Sequence, residues 1–372
     1  MKILEDKNRI FGLDLLRCLA ILFVLVAHSI ASFVIPFSQN KFTAGVLGRV
    51  FSYPLGFFGV EIFFVLSGYL IGSIIIKKVI QTRSIKELFN FYIRRWFRTL
   101  PLYFLITFFL LFDPYVNYHF SWTNLVFLQN FSSALEFNPV SWSLSVEEWF
   151  YLLIPFLFTV SFVSFKKIKE SRLFLFLCIF VVACSIIARM IVVSNINPTF
   201  NSGIRLSIFL RLDSLTIGVL FAGIKYYYRA IYDYFLTNRS KVFLIAFFGV
   251  FLSFLFLIFT GQLYLNESFF ARVFFLPMVS IFFGLLLLCV ENITTPKYFA
   301  KQVTFISLIS YGIYLIHDSL FVIANNVIHI STFFESIVVM TLSILITFVV
   351  SFLLYRYFEI PIMNLRDRIR FK

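Results

Sequence analysis

Three ionisable residues interrupt an otherwise apolar stretch near the N-terminus. The stretch from Gly12 to Ser29 reads GLDLLRCLAILFVLVAHS and carries Asp14, Arg17 and His28. Residues eleven apart lie on nearly the same face of a helix, so Arg17 and His28 align roughly 16 Å apart along its axis. Asp14, three residues before Arg17, belongs to the same stripe. An ionisable group at the centre of a membrane helix costs at least about 2.5–3.5 kcal/mol. These three are therefore expected to face a polar cavity rather than lipid. The chemistry that fits is general acid–base catalysis. A neutral imidazole can take the proton of a hydroxyl as it attacks an activated acyl group. A carboxylate on the other ring nitrogen would fix the tautomer and support the imidazolium. Glu147 and Glu148, in SWSLSVEEWFY, offer such a carboxylate, and the sequence does not choose between them.

The elements that position these groups follow from composition. The 372 residues are 60% hydrophobic and 13% charged, against about half apolar and a quarter charged in a soluble domain. The reading is an all-α integral membrane protein, one transmembrane domain over 1–372 with no appended soluble domain. About 20 apolar residues span a bilayer. On that rule there are about ten spans, near 12–34, 54–76, 99–117, 143–165, 173–194, 204–224, 242–261, 269–290, 303–325 and 333–355. Asp113 and Pro114 cut the third short; Pro101, Pro155 and Pro277 are tolerable inside membrane helices. Most of the 32 Lys and Arg fall on the side of the two termini, while Lys41 and Arg49 fall opposite. Both termini are then cytoplasmic. The charge of +14 thus reflects topology and lipid contact, not nucleic acid. Cys18, Cys178, Cys184 and Cys289 show no metal or disulfide spacing and read as small buried residues. No metal and no Walker A motif is expected.

With depths assigned, polar residues of five helices converge on the outer half of the membrane. They are His28, Glu61, Glu147 or Glu148, Arg211 and Asp213 in RLDSLTIG, and Tyr314, His317 and Asp318 in SYGIYLIHDS. Ser67-Gly68, in FFVLSGYL, lies near mid-membrane and permits close backbone approach. Glu61, Ser67, Arg211, Asp213, Tyr314 and His317 are the expected substrate-binding set. Arg189, Arg205 and Arg272 read as snorkelling or packing residues; His119 and His329 are given no role. A second cluster, FYIRRWFRTLP, holds Arg94, Arg95 and Arg98. Either Arg94 or Arg95 shares a helix face with Arg98. Guanidinium groups suit phosphates and Trp96 could stack on a purine, though lipid headgroups would satisfy the same arginines.

Taken in order, R-x10-H, FFVLSGYL, RRWFRTLP, WSLSVEEWFY, RLDSLTIG and SYGIYLIH give the chain a resemblance to acyltransferase family 3. These integral membrane proteins are best known as bacterial O-acyltransferases of surface carbohydrates. The resemblance implies a multi-pass protein of the bacterial inner membrane. It takes an acyl group, usually acetyl from acetyl-CoA, on the cytoplasmic side. It delivers the group to a hydroxyl of a surface glycan, such as lipopolysaccharide, or of a lipid-linked sugar near the outer face. It also implies that His28 is catalytic, that Arg17 is essential, and that Arg94, Arg95 and Arg98 serve the CoA side. Many relatives append a hydrolase-like domain, so a second transfer step would here need another protein. The acceptor sugar, the acyl chain and the oligomeric state, a homodimer included, stay open. The rival reading is a proton-coupled transporter or flippase of a glycan or lipid-linked sugar, with His28 and the carboxylates as a relay.

Overall fold

A computed structural model describes residues 9–366 except 39, 116–119, 132–134, 136 and 297, and leaves aside the side chain of Gln262. His119 and the cations Lys2, Lys7, Lys297, Arg368, Arg370 and Lys372 therefore lie outside the described residues. Among the described residues there is no strand.

Helix α1 (Phe11–Ser29) continues through a π-helical turn, Ile30–Val34. The short α2 (Lys41–Leu47) leads into α3 (Tyr53–Ile74), and α4 spans Ile85–Leu110. Then come α5 (Trp142–Ser164), α6 (Glu170–Asn195), α7 (Leu212–Tyr227) and the short α8 (Arg229–Thr237). Helix α9 (Arg239–Glu267) breaks at Gly261, and a π-helical turn, Ala271–Phe275, opens α10 (Leu276–Glu291). Helices α11 (Ala300–Val327), α12 (Phe333–Leu354) and α13 (Ile360–Arg366) complete the bundle. Among the described residues, eight helices are long and apolar enough to cross a membrane.

Two expected spans differ. The third, near 99–117, is the second half of α4, which begins at Ile85 and runs straight through Arg94, Arg95 and Arg98. Those charges do not end the helix, because they point into a cavity and a groove between helices. They do keep α4 outside the eight apolar helices. The sixth, near 204–224, is interrupted. A π-helical turn (Phe200–Arg205) and a 3-10 turn (Phe209–Arg211) precede α7, which has 16 residues. The bends turn Arg205 toward one cavity and Arg211 toward a buried carboxylate. Residues 120–131, which follow the third expected span, are tied to the bundle. Tyr103 donates to Asn124 O at 2.8 Å, and Trp149 Nε1 to Phe127 O at 3.0 Å. Asn130 Nδ2 donates to the carbonyls of Trp142 and Leu206.

The tightest seam joins α3 to α7, with α1 on the other flank of α3 and α11 beyond it. Its closeness depends on glycine. A Cβ at Gly68 would sit 1.9 Å from Leu215 O, and one at Gly218 would sit 2.2 Å from Val65 O. Membrane helices gain most from such close backbone packing, since lipid offers no hydrophobic drive to associate. The four cysteines are free; Cys18, Cys178 and Cys289 are buried as expected, whereas Cys184 is exposed on α6, where an apolar thiol can meet lipid.

Gly68→Val should destabilise the bundle by about 1–3 kcal/mol or more, seen as a lower midpoint of thermal unfolding in detergent. Gly45→Ala, whose added Cβ meets nothing within 4 Å, should leave it unchanged.

Candidate active site

The stripe on α1 divides between two cavities. At its N-terminal end Asp14 is buried. It accepts hydrogen bonds from Arg9 Nε at 2.8 Å, from Arg9 Nη2 at 2.5 Å and from Ser307 Oγ at 2.8 Å. Arg17 lies 3.7 Å from Asp14 and donates to Ser307 Oγ at 3.3 Å. These contacts anchor one Nη of the Arg17 guanidinium and hold the side chain on the wall of the first cavity.

That arginine cavity is lined by Arg17, Arg95, Arg98, Ser67, Glu147 and Tyr151, with Val60, Phe63 and Phe64 as its apolar wall. The Arg95 guanidinium lies over the Tyr151 ring, 4.6 Å from its centroid. Tyr151 donates to Glu147 Oε2 at 2.9 Å and shares a second hydrogen bond with Ser67 Oγ. Arg95 also borders a neighbouring groove with Lys78, Lys86 and Arg94. Of the two candidates, Arg95 shares the cavity face with Arg98, as three-residue spacing on a helix allows; Arg94 turns to the groove. Trp96 stacks on Tyr92, centroids 5.6 Å apart and planes 16° apart, with one face left exposed.

The histidine cavity is bordered by His28, Asp318, Tyr53, Arg205, Trp142 and Tyr314. His28 Nδ1 lies 3.5 Å from Asp318 Oδ1, an ion-pair separation. The His317 ring meets His28 edge-on, centroids 4.9 Å apart. His317 is fully buried and bonds Ile313 O through Nδ1 at 3.0 Å. It backs His28 rather than lining either cavity. Arg205 is held over Trp142 at 4.7 Å and Phe57 at 5.4 Å. Val60 and Tyr314 line both cavities. Tyr314 is pinned there, donating to Val140 O at 2.9 Å with Ser143 Oγ 2.6 Å from its hydroxyl. Groove, arginine cavity and histidine cavity thus share lining residues in sequence, Arg95 at one junction and Val60 with Tyr314 at the other.

Several expectations need correction. The carboxylate beside His28 is Asp318, not Glu147 or Glu148. Glu147 faces the arginine cavity, and Glu148, on another face of α5, is buried away from both. Adjacent helical residues point apart. Glu61, Arg211 and Asp213 line neither cavity. Arg211 is paired with Glu61 at 2.6 Å, and Asp213 with Arg189 at 2.5 Å, all four fully buried. Arg189 also donates to Leu210 O. Such pairs are held because an unpartnered charge in an apolar interior is costly. Arg189 is thus a buried packing residue rather than a snorkelling one, as is Arg272, which donates to Pro198 O and Glu267 O. Arg205, by contrast, reaches a cavity. Its aromatic cradle comes from remote segments, which sequence spacing does not reveal. Asp318 was legible: it is four residues after Tyr314, on the same helix face.

The fold defines a multi-pass membrane protein whose core holds two polar cavities with lining residues in common. The family model of the acyltransferase domain, family 3, matches residues 10–356, and the chain belongs to that family. Among its relatives is O-acetyltransferase OatA of Staphylococcus aureus, strains NCTC 8325, COL and MRSA252. Each is 31% identical over 234 residues, covering 57% of this chain and 34% of the relative. The chain thus spans about a third of the length of these curated relatives. No solved structure matches it.

Glu61→Ala should cost about 3–5 kcal/mol by stranding Arg211. Replacing both partners with apolar residues, Glu61→Leu with Arg211→Met, should cost far less. Thermal unfolding in detergent separates the two.

Proposed function

We propose that the protein is a membrane-embedded O-acyltransferase. It takes an acyl group, acetyl first among candidates, from acyl-CoA at the cytoplasmic face of the bacterial inner membrane. It passes that group to a hydroxyl of a surface glycan or lipid-linked sugar. In this reading both termini are cytoplasmic, and α4 and α7 add to the eight apolar helices to make about ten crossings. The observation that carries the reading is the shared lining of neighbouring cavities: arginines on one, His28 with Asp318 on the other, and Val60 with Tyr314 on both. In this reading the two form one passage with its constriction at Val60 and Tyr314. Family membership and the O-acetyltransferase relatives support it.

The roles follow from the chemistry of each group. Arg95 and Arg98, with Arg94, Lys78 and Lys86 in the groove, suit the donor's phosphates, since guanidinium–phosphate bonds are charge-assisted and often bidentate. Arg17, held by Asp14 and Ser307, draws the anionic donor inward. The thioester then reaches the constriction at Val60 and Tyr314. His28 takes the proton of the acceptor hydroxyl as its oxygen attacks the thioester carbonyl. Asp318, beside Nδ1, fixes the tautomer that presents Nε2 and stabilises the imidazolium. Arg205, in the same cavity, offers donors to sugar oxygens.

In membranes carrying the wild-type chain, radiolabelled acetyl from acetyl-CoA should appear on envelope glycan. His28→Ala should slow transfer by about 10²–10⁴-fold at equal protein level. Asp318→Asn should lower kcat with little change in the KM for acetyl-CoA, and Arg98→Gln should raise that KM. Equal transfer by wild type and His28→Ala would remove His28 from the chemistry, and no transfer by either would sink the reading.

A further inference from the structure

Acyl transfer from a thioester moves two protons, and a sulphur that leaves on the side away from His28 needs a proton donor of its own. The acceptor oxygen must lose one. The departing sulphur must gain one, because an alkyl thiol ionises only near pH 8.5. On the acyltransferase reading, the sulphur departs into the arginine cavity.

Glu147 is the one carboxyl group on the lining of that cavity among the described residues. Its position relative to the constriction is set by α5. Ser143 Oγ meets the Tyr314 hydroxyl at 2.6 Å, and Glu147 is one helical turn further along, a rise of about 6 Å. That is the reach from a carbonyl carbon held at the constriction, across its sulphur, to a proton donor below. Its orientation is built. Tyr151, one turn beyond, donates to Glu147 Oε2 at 2.9 Å. Ser67 of α3 bonds the same phenol, and the Arg95 guanidinium covers the ring. The arginines hold their protons too strongly to act as acids, and Tyr314 is committed to Val140 O. His28 and Asp318 already form a base with its own carboxylate, so Glu147 is not needed there.

We propose that Glu147 is the general acid that protonates the leaving thiolate of the acyl-CoA donor, with Tyr151 and Ser67 as its positioning residues; the proposal rests on the acyltransferase reading above. In the step, the acceptor O–H proton goes to His28 and the oxygen pair forms the new C–O bond. The C–S bond then breaks. Its electron pair stays on sulphur and takes the Glu147 proton. The products are the ester, the free thiol, an imidazolium and a carboxylate. While bound, the donor's phosphates occupy the arginines. Once the thiol has left, Arg17 and Arg95 stabilise the Glu147 carboxylate until it takes a proton from water in the cavity. His28 releases its proton on its own side.

The test compares donors whose leaving groups differ in their need for a proton. With acetyl-CoA, Glu147→Gln should slow transfer by about 10²-fold or more. With S-acetyl-4-nitrothiophenol, whose thiolate leaves unaided, it should slow transfer by less than about threefold. Tyr151→Phe should show the same donor dependence more weakly, and His28→Ala should slow both donors alike. Equal losses with both donors in Glu147→Gln, or no loss with acetyl-CoA, would overturn the proposal. If Glu147→Gln fails to fold, wild-type rates across a series of acetyl aryl thioesters decide. Near-independence of thiol acidity supports a built-in acid, and a steep dependence overturns it. Wild type that transfers from neither donor would instead overturn the acyltransferase reading on which the proposal stands.

Discussion

A charge inside an apolar bundle needs a partner, and this structure is organised by which charges have one. Arg211 with Glu61, and Arg189 with Asp213, are closed pairs with no exposed surface. They fasten α3, α6 and α7 where the backbones of α3 and α7 already meet through Gly68 and Gly218. A closed pair contributes little net stability against a well-packed apolar alternative, but breaking one strands a charge. Any other register of the seam would strand a charge, and the neighbouring helices pack against the register that does not. Helix α1 is held against α3, and α11 against α1, which is what brings His28 of one to Asp318 of the other.

A second set of charges is left open. Arg17, Arg95, Arg98 and Glu147 line one cavity; His28, Asp318 and Arg205 border the next. None of these is sealed into a close-packed interface, and all are partly anchored. Arg17 is held by Asp14 and Ser307, Arg205 by two aromatic faces, Glu147 by Tyr151. Anchored but unsatisfied groups are the arrangement that preorganises a site for a charged substrate. The cationic end suits phosphates, the imidazole end suits a hydroxyl, and Tyr314 with Val60 separates them. The division gives the two neighbouring cavities distinct chemistry.

Much of this is legible in the amino-acid sequence. Composition and the length of the apolar runs give the helical class and, within a few residues, most of the long helices. R-x10-H placed Arg17 and His28 on one face, and the structure opens that face to a cavity at each end. The failures share a cause. Long apolar segments do not record which neighbour a helix will touch, so Glu61, Arg211 and Asp213 looked like a substrate site when each already had a partner. Glu147 and Glu148 were matched to His28 by depth alone, while Asp318 stood on the helix that packs beside it. Arg205 was hidden because its cradle, Phe57 and Trp142, comes from two other segments. Helix α4 was misread because charges usually end a membrane span; here they face a polar interior and the helix continues past them.

The proposed function requires the two cavities to form one passage that opens to opposite sides of the membrane, with the constriction between. Single cysteines at Ser32, in the histidine cavity, and at Leu70, in the arginine cavity, test it in a chain whose native cysteines are replaced. Each would be exposed to a membrane-impermeant maleimide in right-side-out and in inside-out vesicles. The account predicts that Ser32→Cys is labelled only from the outer face. Leu70→Cys should be labelled only from the cytoplasmic face, and acetyl-CoA should slow its labelling. Labelling of both positions from the same side would contradict it.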